Sequence, residues 1–473
     1  MSVSAVSDLI FSSDQANHNF ARVLGDLRRA RHSISHRLRS ISRDAAFVPA
    51  VAARYPGLFL VANERCGSWY VPAGQAAASA YFKSTDGHTG QWSVSTRRLN
   101  LHLLGLSSLS SSISSPSSCS FILVDSTRRG KRMPDALSKT VPLWCCAVNR
   151  LVFGQPDAPL YTPPGVVSPS EHSQMLACLP AQTEALRRVG VLHDGPAWTA
   201  RLNGRPLRPV WVTPDMPWPD IDALVATFTV VVCCTASRIP DGAVVDQDHD
   251  HDHTNYVQGA ADDTENWAYG LTAKLFWNHR DELLATPEAD LPARIEALVA
   301  AARQKEQPDA VTDGQTPITP ITPFLSVGTP SLPTLYPACE IVFVRQVTAP
   351  SSWVRSPVRL EVGLGKQDKT ASRNLRHALP QICAFVSAYL NRTDSHAHVG
   401  VACDSGRDLS VGTALALLCA CFDADGQPGR PDTRPAVFTK DAIRLRLGRI
   451  MTAMPQANPS RTTLQSVNSF LMG

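Results

Sequence analysis

Residues 398–422, HVGVACDSGRDLSVGTALALLCACF, constrain the fold most. An apolar strand ends at Ala402, a glycine-containing loop follows, and from Leu409 an apolar run continues with helical character. A strand and a helix that are both apolar throughout need partners on both sides, which predicts an α/β architecture with a covered sheet. The loop between them lies at the helix N-terminus, where unpaired backbone N–H groups and the helix dipole converge on one point and form an anion cradle.

A second constraint is the stretch 304–337, rich in Pro, Thr and Gly (TPITPITPF), which cannot sustain helix and reads as an inter-domain linker. It divides the 473 residues into an N-terminal α/β region (1–303) and a compact C-terminal domain (338–473). Hydrophobic residues at 44% and charged residues at 18% supply a sizeable core and exclude global disorder. With 45 Lys plus Arg against 41 Asp plus Glu, the net charge is only +4, so nucleic-acid affinity must come from local basic patches. Twelve cysteines without CxxC spacing fit neither a disulfide scaffold nor a zinc site and point to a reduced, cytoplasmic setting. No apolar run reaches bilayer length, so no membrane association is expected.

Residues 20–41 carry an apolar stripe at spacings of three, four and seven, opposite a basic face that includes Arg22, Arg28, Arg29, Arg31, Arg37 and Arg39, with Arg43 just beyond. That face suits either a phosphate backbone or solvent. Residues 58–62 and 69–71 read as a hairpin around Cys66-Gly67, residues 107–120 as a Ser-rich surface insertion, and DQDHDHDH at 246–253 as a polar loop.

Three loops carry chemical potential. In residues 81–104, Gly87 and Gly90 let N–H groups converge on an anion. Lys83, Arg97 and Arg98 add charge, Asp86 and His88 add an acid and an imidazole, and a helix with Leu99, Leu103 and Leu106 on one face follows. In residues 121–150, the apolar run FILV ends at Asp125 and leads into STRRGKRMPD, then a helix that Pro142 kinks or shortens. An acid at the carboxyl end of a strand, followed by Arg128, Arg129, Lys131 and Arg132, is the arrangement in which open α/β sheets bind phosphorylated ligands. Asp125 there holds Mg²⁺, accepts a proton or serves only as a cap.

The third loop, residues 403–410, resembles that of the protein phosphatase fold: Cys403, Gly406 and Ser410 match, while Leu409 stands where the phosphatase arginine would be and Ala402 where its histidine would be. Without the guanidinium clamp Cys403 is a poor nucleophile, so phosphate binding outranks ester cleavage, with Arg407 supplying charge from a shifted position.

The segments FKSTDGHTGQWSVSTRRLNLHLL, ILVDSTRRGKRMPDALSKTVPLWC, VQGAADDTENWAYGLTAKLFW, VACDSGRDLSVGTALALLC and ANPSRTTLQSVNSFLM, in this order, resemble the initiator tRNA ribosylphosphate transferase family. The resemblance implies transfer of 5-phosphoribose from phosphoribosyl pyrophosphate (PRPP) to the 2′-hydroxyl of the T-stem purine at position 64 of initiator methionine tRNA. It also implies a C-terminal domain similar to dual-specificity phosphatases. The donor's phosphate is then expected on Cys403, Asp404, Ser405, Gly406, Arg407, Asp408, Leu409 and Ser410. The departing pyrophosphate falls to Mg²⁺ with Lys83 or the 128–131 loop, and the candidate bases are Asp86, His88 and Asp125. The A-form stem is expected to meet Arg97, Arg98, Arg128, Arg129, Lys131, Arg132 and the basic helix; no protein partner is evident. A phosphatase using Cys403, or a tRNA-binding protein without catalysis, remains open.

Overall fold

The computed structural model describes residues 33–84, 90–109, 119–128, 130–192, 194–239, 256–305, 318–330, 339–366, 368–393, 397–423, 426–428 and 438–473. Asp86, His88, Arg129, Arg22, Arg28, Arg29, Arg31 and the acid/His run 246–253 lie outside the described residues.

The N-terminal unit is built on five parallel strands, β1 (Phe59–Asn63), β2 (Ala78–Ala80), β3 (Phe121–Asp125), β4 (Leu207–Val212) and β5 (Thr229–Thr235), in the order β2-β1-β3-β5-β4. β3 and β5 are buried along their whole length, as FILVD and TVVVCCT demand of central strands covered on both faces. Alternate residues feed two cores. Phe121, Leu123, Val231 and Cys233 pack with Trp144 and Met175, and Ile122, Val124, Val232 and Cys234 pack on the other side with Leu38 and Ile41 of α1 (Ile34–Ala45). The chain runs outward from β1 to β2 and then crosses back to β3 on the other side of β1. The β1/β3 boundary is therefore a topological switch point, and its carboxyl end is where open α/β sheets of this kind take their ligands.

The C-terminal sheet has the order β6-β7-β11-β8-β10-β9, with β6 (Thr319–Thr322), β7 (Leu325–Gly328), β8 (Cys339–Val344), β9 (Val354–Ser356), β10 (Arg359–Gly363) and β11 (Val399–Ala402). Its inner strands pair in parallel and β6 and β9 close the edges antiparallel. The Pro/Thr stretch thus does not act as linker throughout: residues 319–328 form a hairpin of this sheet. Pro320 is accepted because β6 is an edge strand, and the apolar LSVG of β7 is buried beside β11.

Other local expectations are corrected by packing. The predicted hairpin over 58–71 is absent. The 67–69 turn instead lies flat on β3, where a Cβ on Gly67 would sit 2.0 Å from the Val124 carbonyl oxygen, and the strands that pair with β1 are β2 and β3, both in parallel. Leu101–Leu109 is a 3₁₀ segment and not an α-helix. Pro142 does not end the helix after Asp125: it lies in the first turn of α2 (Val141–Val152), directly after a π-helical turn at Ala136–Thr140 that runs on into it. Ser120 is not on a surface insertion; its buried hydroxyl accepts from Val230 N at 2.9 Å at the head of β3. In the second unit α4 (Lys369–Leu390) packs against α5 (Leu409–Ala420), and α6 (Lys440–Ala453) packs on α3 (Pro169–Val189) of the first unit.

Candidate active site

Asn63 and Asp125 end β1 and β3. Both follow apolar strands, and the pleat points them to the same face, side by side at the switch point. Asn63 Nδ2 donates to Asp125 Oδ2 at 2.7 Å, while the Asn63 amide is itself held by the backbone of Phe82 at 2.8 and 3.1 Å. Ser126 N donates to Asp125 Oδ1 at 2.8 Å. Asp125 is fully buried, and burial pushes its carboxyl up to about 6 against the opposing pull of Arg65 and the Asn63 bond. Beside it, Thr235 Oγ1, on the strand residue paired with Asp125, is buried without a hydrogen-bond partner, whereas the buried Ser126 hydroxyl bonds to Tyr70. A buried hydroxyl such as that of Thr235 calls for an explanation, and a polar ligand is one.

Two guanidiniums flank the switch point. Arg65 lies two residues beyond β1 and Arg128 three beyond β3. Arg65 Nη2 meets Asp262 at 3.3 Å, and Arg128 meets Asp262 at 3.1 Å and Asp263 at 2.7 Å. The Cys66 thiol donates to Asp262 at 3.1 Å, and burial holds it well above the ordinary thiol range. The acids sit on a strap, residues 256–263, that is tied down on all sides. Tyr256 donates to Asp44, Val257 N to Ser40, Gly130 N to the Gln258 carboxamide and Arg37 to the Ala260 carbonyl. A Cβ on Gly259 would sit 2.7 Å from the Thr127 carbonyl oxygen, and Gly259 has φ +65°, so only glycine lets the strap lie this close.

Of the predicted residues, Asp125 and Arg128 are in this cluster. Lys131 and Arg132 are exposed on its rim, with Lys131 paired to Asp135 at 3.5 Å. Lys83 is exposed on the segment after Phe82, its carbonyl accepting from Thr140 at 2.9 Å. Arg37 is buried over the Trp267 ring and serves as a tether, which removes it from the RNA-facing surface expected of the basic helix. Asp262 and Asp263 are the carboxylates that hold Arg65 and Arg128.

The third predicted loop, residues 403–410, lies between β11 and α5 (Leu409–Ala420). Cys403 is fully buried, its sulfur 3.0 Å from Ser410 Oγ and 3.6 Å from Ser405 Oγ, so the phosphatase-type thiol–hydroxyl contact is present. Leu409 is buried in the core where a phosphatase would present a cation. Arg345, just past β8 and carrying no signal in the sequence, reaches the loop instead: its Nε donates to Asp404 at 2.6 Å. Asp408 turns away to accept from Ser460 N and Thr463 Oγ1 at the start of α7 (Arg461–Met472). Arg407 and Ser405 are exposed.

Arg97 and Arg98 bind the two units together. Arg97 donates to the Pro459 carbonyl at 2.6 Å and Arg98 to Asn458 at 2.7 Å, while Asn458 N donates to the Arg407 carbonyl at 2.9 Å. Partial burial pushes both guanidiniums below their ordinary range. Through Asn100, which is bonded to the Tyr81 backbone at 2.9 and 3.1 Å, these contacts connect to Phe82, Asn63 and Asp125. The sequence grouped Arg97 and Arg98 with the tRNA and pyrophosphate ligands; the fold places them between the two loops.

Among the described residues, no three His, Cys, Asp or Glu side chains gather as a metal site, all 12 cysteines are free, and no helix is long and apolar enough to cross a membrane.

Residues 27–300 match the Rit1 N-terminal domain and residues 358–471 the Rit1 DUSP-like domain. An uncharacterized Schizosaccharomyces pombe protein is 35% identical over 455 residues, covering 94% of this chain and 95% of its own. The Saccharomyces cerevisiae tRNA A64-2′-O-ribosylphosphate transferase is 31% identical over 526 residues, covering 100% of this chain and 97% of its own. No solved structure matches. Both units and the order in which they follow one another agree with these relatives, and the chain belongs to the Rit1 family.

Proposed function

We propose that the protein transfers 5-phosphoribose from PRPP to the 2′-hydroxyl of the T-stem purine at position 64 of initiator methionine tRNA, setting it apart from elongator tRNAs. The observation that carries this reading is the end-to-end likeness to a tRNA A64-2′-O-ribosylphosphate transferase, which spans both units. In the transfer, the bond from the anomeric carbon to pyrophosphate breaks and the electron pair leaves with pyrophosphate. A bond to the 2′-oxygen forms, and the hydroxyl proton passes to a base.

Asp125 is the described residue suited to that last role. It stands at the switch point, oriented by Asn63, and a carboxyl near pH 6 is ionised at neutral pH yet more basic than an exposed one. Positive charge at the neighbouring guanidiniums stabilises the leaving pyrophosphate, with Lys131 and Arg132 available to its outer oxygens or to the RNA backbone. The backbone of residues 403–410, with Arg407, holds the donor's 5-phosphate, and Arg345 supplies the nearby charge that Leu409 cannot. Mg²⁺ would enter on the donor's own phosphates, with Asp262 or Asp263 as its protein carboxylates, and when bound it neutralises charge on the leaving group.

The test is to incubate the protein, Mg²⁺, PRPP and initiator tRNA and to weigh the RNA by mass spectrometry. A gain of one phosphoribosyl group on initiator but not elongator tRNA is expected; unchanged initiator tRNA would refute the reading. A phosphatase reading draws on the Cys403–Ser410 contact alone. It requires release of phosphate from a model ester that Cys403→Ser abolishes.

A further inference from the structure

Arg65 and Arg128 flank the β1/β3 switch point, yet their charge is spent on two consecutive carboxylates of the same chain. Asp263 has a left-handed backbone, φ +53°, a conformation that Asp takes more readily than most non-glycine residues. Asp262 is mostly buried, with 14% of its side chain exposed, and its backbone is fixed by the Trp267 indole at 3.0 Å. The strap's backbone has no freedom to leave, but its carboxylates need only rotate. Next to Asp125, at the end of β5, the hydroxyl of Thr235 (0% exposed) is buried without a hydrogen-bond partner, while the buried Ser126 hydroxyl is taken by Tyr70. Guanidiniums prefer phosphoryl oxygens in paired N–H···O geometry, and two adjacent anionic side chains present the charge pattern of two linked phosphoryl groups.

We infer that the switch point at the carboxyl ends of β1 and β3 is a diphosphate subsite with Arg65 and Arg128 as its ligands, and that Asp262 and Asp263 occupy it as internal anions until a diphosphate displaces them. The inference deepens the donor reading above by naming the residues that take the diphosphate half of the donor and the acids it must displace.

The probe is inorganic pyrophosphate, titrated calorimetrically into the full-length protein with a chelator present and no tRNA. Wild type binds. Arg65→Ala and Arg128→Ala each weaken binding about tenfold or more, the effect of losing a charge-assisted contact. Asp263→Gly, which suits the left-handed backbone and therefore folds, tightens binding several-fold. No binding by wild type, or wild-type affinity in both arginine variants, overturns the subsite; weaker binding by Asp263→Gly overturns the internal-anion role. A protein that binds pyrophosphate through both arginines but adds nothing to tRNA would refute the transfer reading and leave this subsite standing.

Discussion

The two loops proposed to face phosphate are built on opposite principles. At the N-terminal switch point the charge resides in side chains, Arg65 and Arg128, held in register by acids on a separate strap. At residues 403–410 it resides largely in the backbone and the dipole of α5, while the clamp position is the buried Leu409. A loop of the second kind grips a phosphate without polarising a bond to it. A site of the first kind, with a buried acid beside it, is equipped to move a proton and receive a leaving anion. On the proposed reading, the difference gives the chemistry to the N-terminal unit and leaves the phosphatase-like unit as a holder.

The sharpest way to break that comparison is to exchange the acid and the thiol. Asp125→Asn is expected to lower the transfer rate by about 10²–10⁴-fold, the usual worth of a general base, whereas Cys403→Ser leaves it within about threefold. The opposite order, measured by phosphoribosyl incorporation into tRNA, would return the chemistry to the C-terminal loop. The same acid sets a pH limit: kcat/KM should fall about tenfold per pH unit below about 6, as Asp125 takes up a proton, and this limb should vanish in Asp125→Asn.

A third prediction concerns the strap. Burial raises the Asp44 carboxyl to about 7, with Tyr256 donating to it. A folded-state pKa above the unfolded value means that the neutral form favours folding. That contribution is complete below about pH 4 and lost as pH rises through 7, amounting to on the order of 4 kcal/mol. Urea unfolding from pH 4 to 8 should therefore show wild type losing stability relative to Asp44→Asn, which keeps an acceptor for Tyr256 at every pH. A constant difference between the two would remove Asp44 from this role. Lys131→Ala and Arg132→Ala should weaken tRNA binding alike on all sequences and each reduce the salt slope by about 1. Unaltered slopes would move the RNA footprint off the N-terminal rim. The smallest effect is at the join: Arg98→Ala, which loses the bond to Asn458, should cost about 1 kcal/mol in urea denaturation.

Much of this was legible in the chain. FILVD followed by a basic loop announced a strand end with an acid, and CDSGRDLS before an apolar helix announced a phosphate loop, because periodicity and glycine placement are local properties. Asn63 was hidden although FLVAN repeats the pattern of FILVD, since only strand pairing makes the two ends neighbours. Arg65, Asp262 and Asp263 are nearly 200 residues apart in sequence and meet through the packing of Gly259 on Thr127. Arg345 gave no signal, because its value depends on where β8 ends relative to β11.

Sequence by itself determined the α/β class, the two loops and the family, all of which rest on short-range pattern and on motif order. Tertiary structure decided which charges are available. Whether an arginine meets solvent, a carbonyl or a carboxylate depends on elements remote in the chain, and so Arg37 became a tether, Arg97 and Arg98 a join, and Arg65 with Arg128 the pair at the switch point.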